Sequence, residues 1–247
     1  MSSESKIEWT EQTWNPASGC TKVSPGCKHC YAEVMANRLK HMSASGYQNG
    51  FELTLQPHRL QQPLKRKKPT VYFVNSMSDL FHEDIPDEYI ERVFDVIRRT
   101  PQHTYQILTK RSERLPGFFK TRSCPKNVWL GVTVEDKEYG VPRIDHLRQV
   151  VATVRFVSVE PLLEDLGPVD FSDIHWVIVG GESGHKARPM KPEWAENVRL
   201  YARAAGAAYF FKQWGTWGSD GVKRKKHLNG RELNGHVYDE YPSPAGV

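Results

Sequence analysis

The chain has 247 residues, and 34 Lys and Arg against 29 Asp and Glu give it a formal net charge of +5. This length suits one domain of barrel size or two smaller ones, because α/β barrels run to roughly 250 residues as one unit. A hydrophobic content of 38% and a charged content of 26% are typical of globular domains. No segment has the ~20 consecutive apolar residues that a membrane-spanning helix needs, which argues against a transmembrane protein.

Four cysteines occur, and three of them, Cys20, Cys27 and Cys30, lie within one short stretch while Cys124 stands apart. The first six residues lack the basic start and apolar core of a secretory signal peptide, so we expect a cytoplasmic protein. In such a reducing compartment, cysteines are more often metal ligands or nucleophiles than disulfide partners.

The clustered cysteines form a Cys-x₆-Cys-x₂-Cys motif that leads into a predicted helix from about His29 to Leu39. The turn Ser24-Pro25-Gly26 would fold Cys20 back beside the other two cysteines. Three thiolates suit a [4Fe–4S] cluster that leaves one iron for a non-protein ligand, as reductive cleavage of S-adenosylmethionine requires. A structural zinc, which needs a fourth ligand, and cysteines without metal remain as alternatives.

From about residue 70, short β-branched or aromatic runs alternate with segments of helical periodicity. Apolar strands that alternate with helices are typical of a parallel sheet covered by helices or closed into a barrel. The predicted strands are Thr70–Val74, Thr104–Leu108, Val128–Val132, Val154–Val159, Trp176–Val179 and Ala208–Phe211, and the predicted helices are Pro86–Arg99, Arg143–Val150 and Pro192–Ala205.

The spacing of these strands, about 22 to 34 residues from start to start, is the length of a βα unit. It predicts an α/β fold, a partial (β/α) TIM-type barrel with roughly six to seven parallel strands. One domain is expected over residues 1–247, with the cysteine loop and first helix in residues 1–45 and a C-terminal extension in residues 215–247.

Polar residues and glycines follow the predicted strands where each one ends. In (β/α) barrels these ends surround one mouth, so we expect these residues to form one site. Strands end in polar turns in any case, and each residue therefore has a structural alternative, such as a turn cap for Asp79 or an ion pair for Glu160. The residues are Asn75, Ser76, Asp79, Lys110, Arg111, Glu135, Glu160, Gly180, Gly181 and Glu182.

Two basic runs, Lys65–Lys68 and Lys223–Lys226, lie outside the βα repeat. Such runs can contact the phosphates of a nucleic acid. They can equally form a solvated face of the protein. Both interpretations remain open at the level of the sequence.

The cysteine loop followed by βα units resembles the radical S-adenosylmethionine superfamily. More closely, the chain resembles a three-Cys-motif family of bacterial and phage proteins, named after phage gene products thirty-seven and sixty-eight. The residues that carry this resemblance are Trp14-Asn15-Pro16, Gly19-Cys20, Cys27-Lys28-His29-Cys30-Tyr31-Ala32, Asn75-Ser76-Met77-Ser78-Asp79-Leu80-Phe81, Leu108-Thr109-Lys110-Arg111, Val159-Glu160-Pro161-Leu162 and Gly180-Gly181-Glu182-Ser183-Gly184.

This resemblance implies an oxygen-sensitive [4Fe–4S] cluster held by the three clustered cysteines, with S-adenosylmethionine as cosubstrate or cofactor. The expected activity is reductive cleavage of S-adenosylmethionine to a 5′-deoxyadenosyl radical that modifies a substrate. An electron donor is the expected partner, and a nucleic acid or nucleotide is the candidate substrate. The main alternative is a zinc-stabilised nucleic-acid-binding or hydrolytic protein without radical chemistry.

The strand-end residues would then contact the cofactor or the substrate. Two features depart from the superfamily pattern: the first cysteine gap is six residues instead of three, and the Gly-Gly-Glu motif, usual after the second strand, comes several strands later. The expected contacts are Asn75, Ser76 and Asp79 with the amine or ribose, Lys110 or Arg111 with the methionine carboxylate, Glu135 and Glu160 with ribose hydroxyls or substrate, Gly180 and Gly181 by close backbone approach, and Glu182 with an amine.

Overall fold

The computed structural model describes residue 5 and residues 7–243. The segment Met1–Lys6, on which the expectation of a cytoplasmic protein rests, therefore lies outside the described residues apart from Ser5. The last four residues of the predicted C-terminal extension also lie outside them. In the described part of the chain, no helix combines the length and apolar character needed to cross a bilayer.

The chain forms eleven strands and six α-helices within the described residues. The strands are β1 (Gln12–Trp14), β2 (Ala17–Ser18), β3 (Thr54–Leu55), β4 (Val71–Val74), β5 (Thr104–Thr109), β6 (Val128–Thr133), β7 (Val154–Val159), β8 (Trp176–Gly180), β9 (Ala208–Gln213), β10 (Glu232–Leu233) and β11 (His236–Val237). The helices are α1 (Tyr31–His41), α2 (Asp87–Arg98), α3 (Arg114–Phe119), α4 (Pro142–Arg148), α5 (Pro192–Ala204) and α6 (Lys226–Asn229).

Seven of these strands make one sheet in the order β1-β4-β5-β6-β7-β8-β9. The pairs β1·β4, β4·β5, β7·β8 and β8·β9 are parallel. The sheet follows chain order throughout and does not reverse, as a doubly wound sheet would. The α/β class, the parallel strands and the partial-barrel topology are thereby confirmed. Two short antiparallel pairs, β2·β3 and β10·β11, stand outside the large sheet.

Two compact units make up the chain. Unit 1 comprises Met1–Val23, Cys30–Leu130 and Val150–Thr153, and unit 2 comprises Ser24–His29, Gly131–Gln149 and Val154–Val247. The division passes through the cysteine loop, since Cys27 belongs to unit 2 and the other two clustered cysteines belong to unit 1. A single domain over residues 1–247 stays a prediction.

In unit 1, helix α2 buries the face that its sequence periodicity predicts. Ile90, Val93, Phe94 and Ile97 are at most 1% exposed, and their i, i+3, i+4, i+7 spacing puts them on one side of a helix. Phe94 packs on the Phe118 ring at 5.6 Å between centroids. The apolar stripe therefore fixes which side of α2 faces the core.

In unit 2, strand β8 is buried along its whole length between β7 and β9. Helix α5 buries Ala195, Val198 and Ala202. It ends before Gly206, whose φ of +73° is the left-handed conformation that glycine adopts at helix ends without steric cost. The sequence predicts both this helix and its end.

Seven of the described elements are missing from the sequence-based prediction: β1, β2, β3, β10, β11, α3 and α6. Helix α3 and strand β1 show the physical reason. Helix α3 contains Pro116 and Gly117, which disfavour a helix in its interior. Strand β1 has three residues, too few to show a period, and it is a strand because it pairs with β4. Both elements are set by tertiary contacts, which override local preference.

The fold predicts opposite effects for two Gly→Ala substitutions. A Cβ atom on Gly131 of β6 would lie 2.6 Å from the Phe156 ring, whereas one on Gly117 of α3 has no neighbour within 4 Å. Gly131→Ala should lower the free energy of unfolding by about 1–3 kcal/mol through overpacking. Gly117→Ala should leave it unchanged or raise it by up to about 1 kcal/mol.

Urea unfolding followed by circular dichroism measures both effects. Phe156→Leu in the Gly131→Ala background should recover part of the loss. Equal destabilisation by the two glycine substitutions would contradict the packing of Gly131 against Phe156.

Candidate functional site

In unit 1, the backbone on both sides of Gly19 and Cys20 is held by neighbouring segments. Gly19 N donates to Met77 O at 2.9 Å, and Cys20 N donates to Phe51 O at 3.1 Å. Gly19 has a φ of +81°, and a Cβ there would lie 2.1 Å from Glu52 O. Only glycine fits this position. The close approach of the two backbones therefore fixes the position of the neighbouring Cys20.

The loop that follows β4 also holds the residue after Cys30. Tyr31 donates its hydroxyl to Ser76 O at 2.5 Å. The same loop is tied to the segment before Cys20, because Asn15 Oδ1 accepts from Met77 N at 3.0 Å and from Ser76 Oγ at 3.2 Å. The predicted site residue Ser76 thus lies in the framework that carries the cysteines of unit 1.

Arg111, which follows β5, connects Cys20 to two carboxylates. Its Nη1 donates to the Cys20 sulfur at 3.3 Å and lies 3.4 Å from Asp79 Oδ2, and its Nε donates to Glu83 Oε2 at 2.6 Å. Its Nη2 donates to Thr21 O at 3.1 Å and to Thr21 Oγ1 at 2.7 Å. The side chain is 9% exposed. The guanidinium is therefore a nearly buried cation whose N–H groups are hydrogen-bonded by these residues.

The electrostatics of this contact favour the charged form of Arg111. Burial disfavours the charge, but the Asp79 carboxylate and the Cys20 sulfur outweigh burial and raise the pKa of Arg111. Burial alone would raise the pKa of Glu83, yet its own backbone and the Arg111 hydrogen bond lower that pKa to about 2. Burial and the Arg111 charge lower the pKa of His82, which keeps this imidazole neutral near pH 7.

Asp79 is occupied by donors of the protein itself. Its Oδ1 accepts from Phe81 N at 3.0 Å and from Thr109 Oγ1 at 2.7 Å. Its Oδ2 accepts from Lys110 N at 2.9 Å and contacts Arg111. Asp79 therefore caps the turn before Phe81, which is the structural role that the sequence leaves open for it. The binding of a ligand by Asp79 or by the Lys110 ammonium stays a prediction.

In unit 2, Glu135 after β6 holds the turn that carries Cys27. Ser24 donates its hydroxyl to Glu135 Oε1. A Cβ on Gly26 would lie 2.9 Å from the Glu135 side chain, so this glycine permits the close approach. Glu135 is fully buried, and Arg143 Nη1 pairs with its Oε2 at 2.6 Å. The buried Glu135–Arg143 ion pair therefore contacts the turn that carries Cys27.

A second contact between a strand end and this turn comes from Arg188. It binds the carboxylate of Glu182, which follows β8, through Nη2 at 2.6 Å and Nε at 2.9 Å. The same Nη2 donates to Pro25 O at 3.1 Å. Glu182 is 6% exposed, and its predicted contact with a ligand amine stays a prediction.

Glu160 and the two glycines after β8 pack against one another in unit 2. Lys212 Nζ pairs with Glu160 at 2.9 Å, and Gln213 Nε2 donates to Glu160 Oε1 at 3.0 Å. A Cβ on Gly180 would lie 3.0 Å from Glu160 Cδ, and one on Gly181 would lie 2.0 Å from Trp214 O. The packing of the chain thus accounts for both glycines, and their predicted approach to a ligand stays a prediction.

Sequence reasoning missed Arg143 and Arg188, the two cations that satisfy the strand-end carboxylates of unit 2. Neither belongs to a motif, and Arg143 was expected as the first residue of a helix. The one signal in the sequence is an arginine that follows each carboxylate, eight positions after Glu135 and six positions after Glu182. Such spacing is too common to identify a buried pair.

Four buried amide oxygens have no hydrogen-bond partner within the described residues: Gln12 Oε1, Asn75 Oδ1, Gln106 Oε1 and Gln213 Oε1. Two of them lie at the carboxyl end of a strand, Asn75 Oδ1 after β4 in unit 1 and Gln213 Oε1 at the end of β9 in unit 2. Asn75 also has a φ of +58°, a strained value that concentrates at functional sites. Unpaired buried acceptors are costly unless a ligand supplies a donor, so each of these two amides has the capacity to accept a hydrogen bond from a polar ligand.

The thiols fit an iron–sulfur cluster in their chemistry. All four cysteines are free and half-buried, and the Cys20 sulfur accepts a hydrogen bond from a cation, as cluster sulfurs commonly do. Among the residues described, no group of three or more His, Cys, Asp or Glu side chains that could hold a metal ion occurs. The ligand set Cys20, Cys27 and Cys30 therefore stays a prediction from spacing and chemistry.

Cys124 differs from the other cysteines in its environment. It lies between α3 and β6, and burial raises the pKa of its thiol to about 12. A thiol with this pKa remains protonated near pH 7 and is neither a good nucleophile nor a good ligand.

A protein family described as "Protein of unknown function (DUF5131)" matches residues 4–242. This chain belongs to the DUF5131 family. Membership of the family named after phage gene products stays a prediction. No curated protein matches the DUF5131 chain.

The DUF5131 chain is similar in fold to solved structures of spore photoproduct lyase. A tyrosine-to-phenylalanine mutant of that lyase has a TM-score of 0.54 at 12% identity, over 85% of this chain and 78% of the lyase chain. A double mutant with bound AdoMet and dinucleoside spore photoproduct has a TM-score of 0.46 at 13% identity, over 82% and 63%. At such identity, the first likeness establishes a shared fold.

The contacts of Arg111 predict that Arg111→Met loosens the Cys20 segment of the DUF5131 protein. The free energy of unfolding should fall by about 3 kcal/mol, because a buried ion pair loses one partner. Amide hydrogen exchange of residues 19–22 should become at least tenfold faster. Arg98→Met is the matched control, since the Arg98–Glu91 pair is exposed and should contribute at most about 1 kcal/mol. Equal effects of the two variants would contradict the prediction.

The raised pKa of Cys124 predicts slow alkylation in the folded protein. At pH 8, iodoacetamide should modify Cys124 at least tenfold more slowly in the folded protein than in the same chain unfolded in urea, because the thiolate is the nucleophile. Peptide mass spectrometry over a time course measures the rate. Equal rates in the two states would show that burial does not protect this thiol.

Proposed function

We propose that this protein is an iron–sulfur enzyme that reductively cleaves S-adenosylmethionine to a 5′-deoxyadenosyl radical and modifies a substrate with it. The observation that carries the proposal is the Cys-x₆-Cys-x₂-Cys loop, whose first cysteine is hydrogen-bonded by a nearly buried arginine. The parallel sheet in chain order and the fold shared with spore photoproduct lyase support it.

A [4Fe–4S] cluster bound by Cys20, Cys27 and Cys30 would supply the electron that cleaves the carbon–sulfur bond of S-adenosylmethionine. Arg111 holds the Cys20 segment, and its cation offsets negative charge at that sulfur. Ser24 and Glu135 hold the turn before Cys27. These side chains position the ligands, and they leave the cysteine sulfurs as the soft donors that iron–sulfur clusters require.

The remaining strand-end residues would bind S-adenosylmethionine and exclude water. Asn75 Oδ1 and Gln213 Oε1 would accept hydrogen bonds from its amine or ribose hydroxyls. Lys110 would pair with the methionine carboxylate, a charge-assisted contact. Asp79 and Glu182 act mainly through the arginines that they hold. Ser76, Gly180 and Gly181 shape the backbone beside these groups.

The proposal includes an electron donor and a substrate. A nucleic acid or nucleotide is the proposed substrate class, and the cytoplasm is the proposed location, where thiols and clusters remain reduced. The competing proposal is a zinc-stabilised nucleic-acid-binding or hydrolytic protein without radical chemistry.

Anaerobic purification and reconstitution distinguish the two proposals. The radical enzyme should be brown with about four irons per chain, and with a strong reductant it should convert S-adenosylmethionine to 5′-deoxyadenosine. Iron analysis, electron paramagnetic resonance and chromatography of the products measure this. Colourless protein with one zinc per chain after reconstitution would overturn the radical proposal.

The ligand set is tested by single Cys→Ala variants. Cys20→Ala, Cys27→Ala and Cys30→Ala should each lose the reconstituted cluster, whereas Cys124→Ala, the matched control, should retain it. Visible absorbance and iron content measure loading, and thermal melts of the iron-free proteins show whether each variant folds. Full loading of any of the first three variants would refute that cysteine as a ligand.

A further inference from the structure

Two loops of unit 2 carry all of the excess positive charge of the chain. Residues 183–190 follow β8, and residues 214–231 follow β9; we call them together the basic platform. They contain seven Lys and Arg residues and one acidic residue, Asp220. The rest of the chain has 27 basic and 28 acidic residues, so the net charge of +5 comes entirely from the basic platform.

The two loops are locked to each other by hydrogen bonds. Thr216 N donates to Glu182 O at 3.0 Å, and Gly184 N donates to Thr216 Oγ1 at 2.9 Å. The Trp217 indole donates to Ala187 O at 2.6 Å. The basic platform is therefore a bonded unit and not a loose tail.

Glycine at position 215 brings the two backbones even closer. Its φ is +81°, and a Cβ there would lie 2.2 Å from Glu182 O. The loop after β9 therefore sits directly on the loop after β8, at the carboxyl ends of two neighbouring parallel strands. In parallel α/β sheets, ligands bind at this edge.

The cations of the basic platform differ in exposure. Arg188 and Arg224 are ion-paired with Glu182 and Asp220. Lys186, Lys223, Lys225 and Lys226 are exposed, and Lys223 Nζ donates to His185 O at 2.5 Å. The Lys223 ammonium lies 5.7 Å from the centroid of the half-buried Trp217 ring, so a cation and an aromatic face occur side by side.

We propose that the basic platform binds the sugar–phosphate backbone of a single-stranded nucleic acid. Exposed lysines neutralise phosphates, and an aromatic ring beside them stacks on a base, the usual combination in proteins that bind single strands. As a substrate-binding surface, the basic platform rests on the proposed function, whereas its binding of nucleic acid requires no cluster.

The first basic run serves as an internal comparison. Lys65–Lys68 lies directly before β4, at the amino end of that strand. Arg66 donates to Thr70 at 2.6 Å, and its carbonyl contacts the His103 ring at 2.9 Å. This run is at the end of its strand where (β/α) sheets do not bind substrates, so the sequence similarity of the two runs does not extend to their position.

The test compares two triple variants with equal loss of charge. Lys186→Gln/Lys225→Gln/Lys226→Gln changes the basic platform, and Lys65→Gln/Lys67→Gln/Lys68→Gln is the matched control. Fluorescence anisotropy of labelled single-stranded DNA and RNA, with duplex DNA as a third probe, measures binding to the full chain with and without its cluster. Circular dichroism checks the fold of both variants.

The wild type should bind single strands more tightly than duplex, with affinity that falls between about 50 and 200 mM salt. The platform variant should bind at least tenfold more weakly and lower the salt slope by about two, at about 0.7 per lost phosphate contact. The control should stay within twofold of the wild type. The DNA and RNA probes identify which strand is preferred.

Equal loss in both triple variants, or binding of inorganic polyphosphate or anionic lipid vesicles as tight as that of oligonucleotides, would overturn the inference. Because binding is measured without the cluster as well, a protein that binds oligonucleotides but forms no 5′-deoxyadenosine would refute the proposed function and leave this inference standing. The reverse result would refute the basic platform alone.

Discussion

The cysteine loop depends on one electrostatic constraint: a buried charge must have a partner. Arg111 in unit 1 is nearly buried and satisfies this requirement with Asp79, Glu83 and the Cys20 segment. Glu135 in unit 2 satisfies it with Arg143 and with Ser24. An unpaired buried charge costs several kcal/mol, so each pair fixes the backbone to which it is bonded. The loop positions of Cys20 and Cys27 follow from these pairs.

The same constraint divides the strand-end residues into two groups. Carboxylates such as Asp79 and Glu182 are occupied by arginines and backbone N–H groups of the chain. The amides of Asn75 and Gln213 keep one buried oxygen each without a donor in the described residues. Charged groups thus build the framework of the site, and neutral amides retain the capacity to bind a polar ligand. This division favours the amides over the carboxylates as contacts of a polar ligand.

Much of the fold could be predicted from the sequence because its signals are local. The four-residue apolar stripe of α2 predicts a helix and the side that it buries. The apolar run of β8 predicts a strand that is buried along its length. Helix α3 could not be predicted, since Pro116 and Gly117 disfavour it locally. Strand β1 could not be predicted for a different reason: it is too short to show a period, and it forms by pairing with β4, about sixty positions along the chain. Local propensity does not predict an element when contacts with distant residues supply the free energy that offsets the conformational entropy lost on ordering it.

The sequence by itself determined the spacing of the three cysteines, the parallel α/β class and the identity of the polar residues at the strand ends. Only the tertiary structure decided what each polar residue contacts, because these contacts span long stretches of chain, up to 163 residues between Pro25 and Arg188. It also separated the two basic runs, which are alike in composition, by placing one before β4 and the other after β9. Composition fixes the charge of a segment, whereas its role depends on which end of the sheet the chain brings it to.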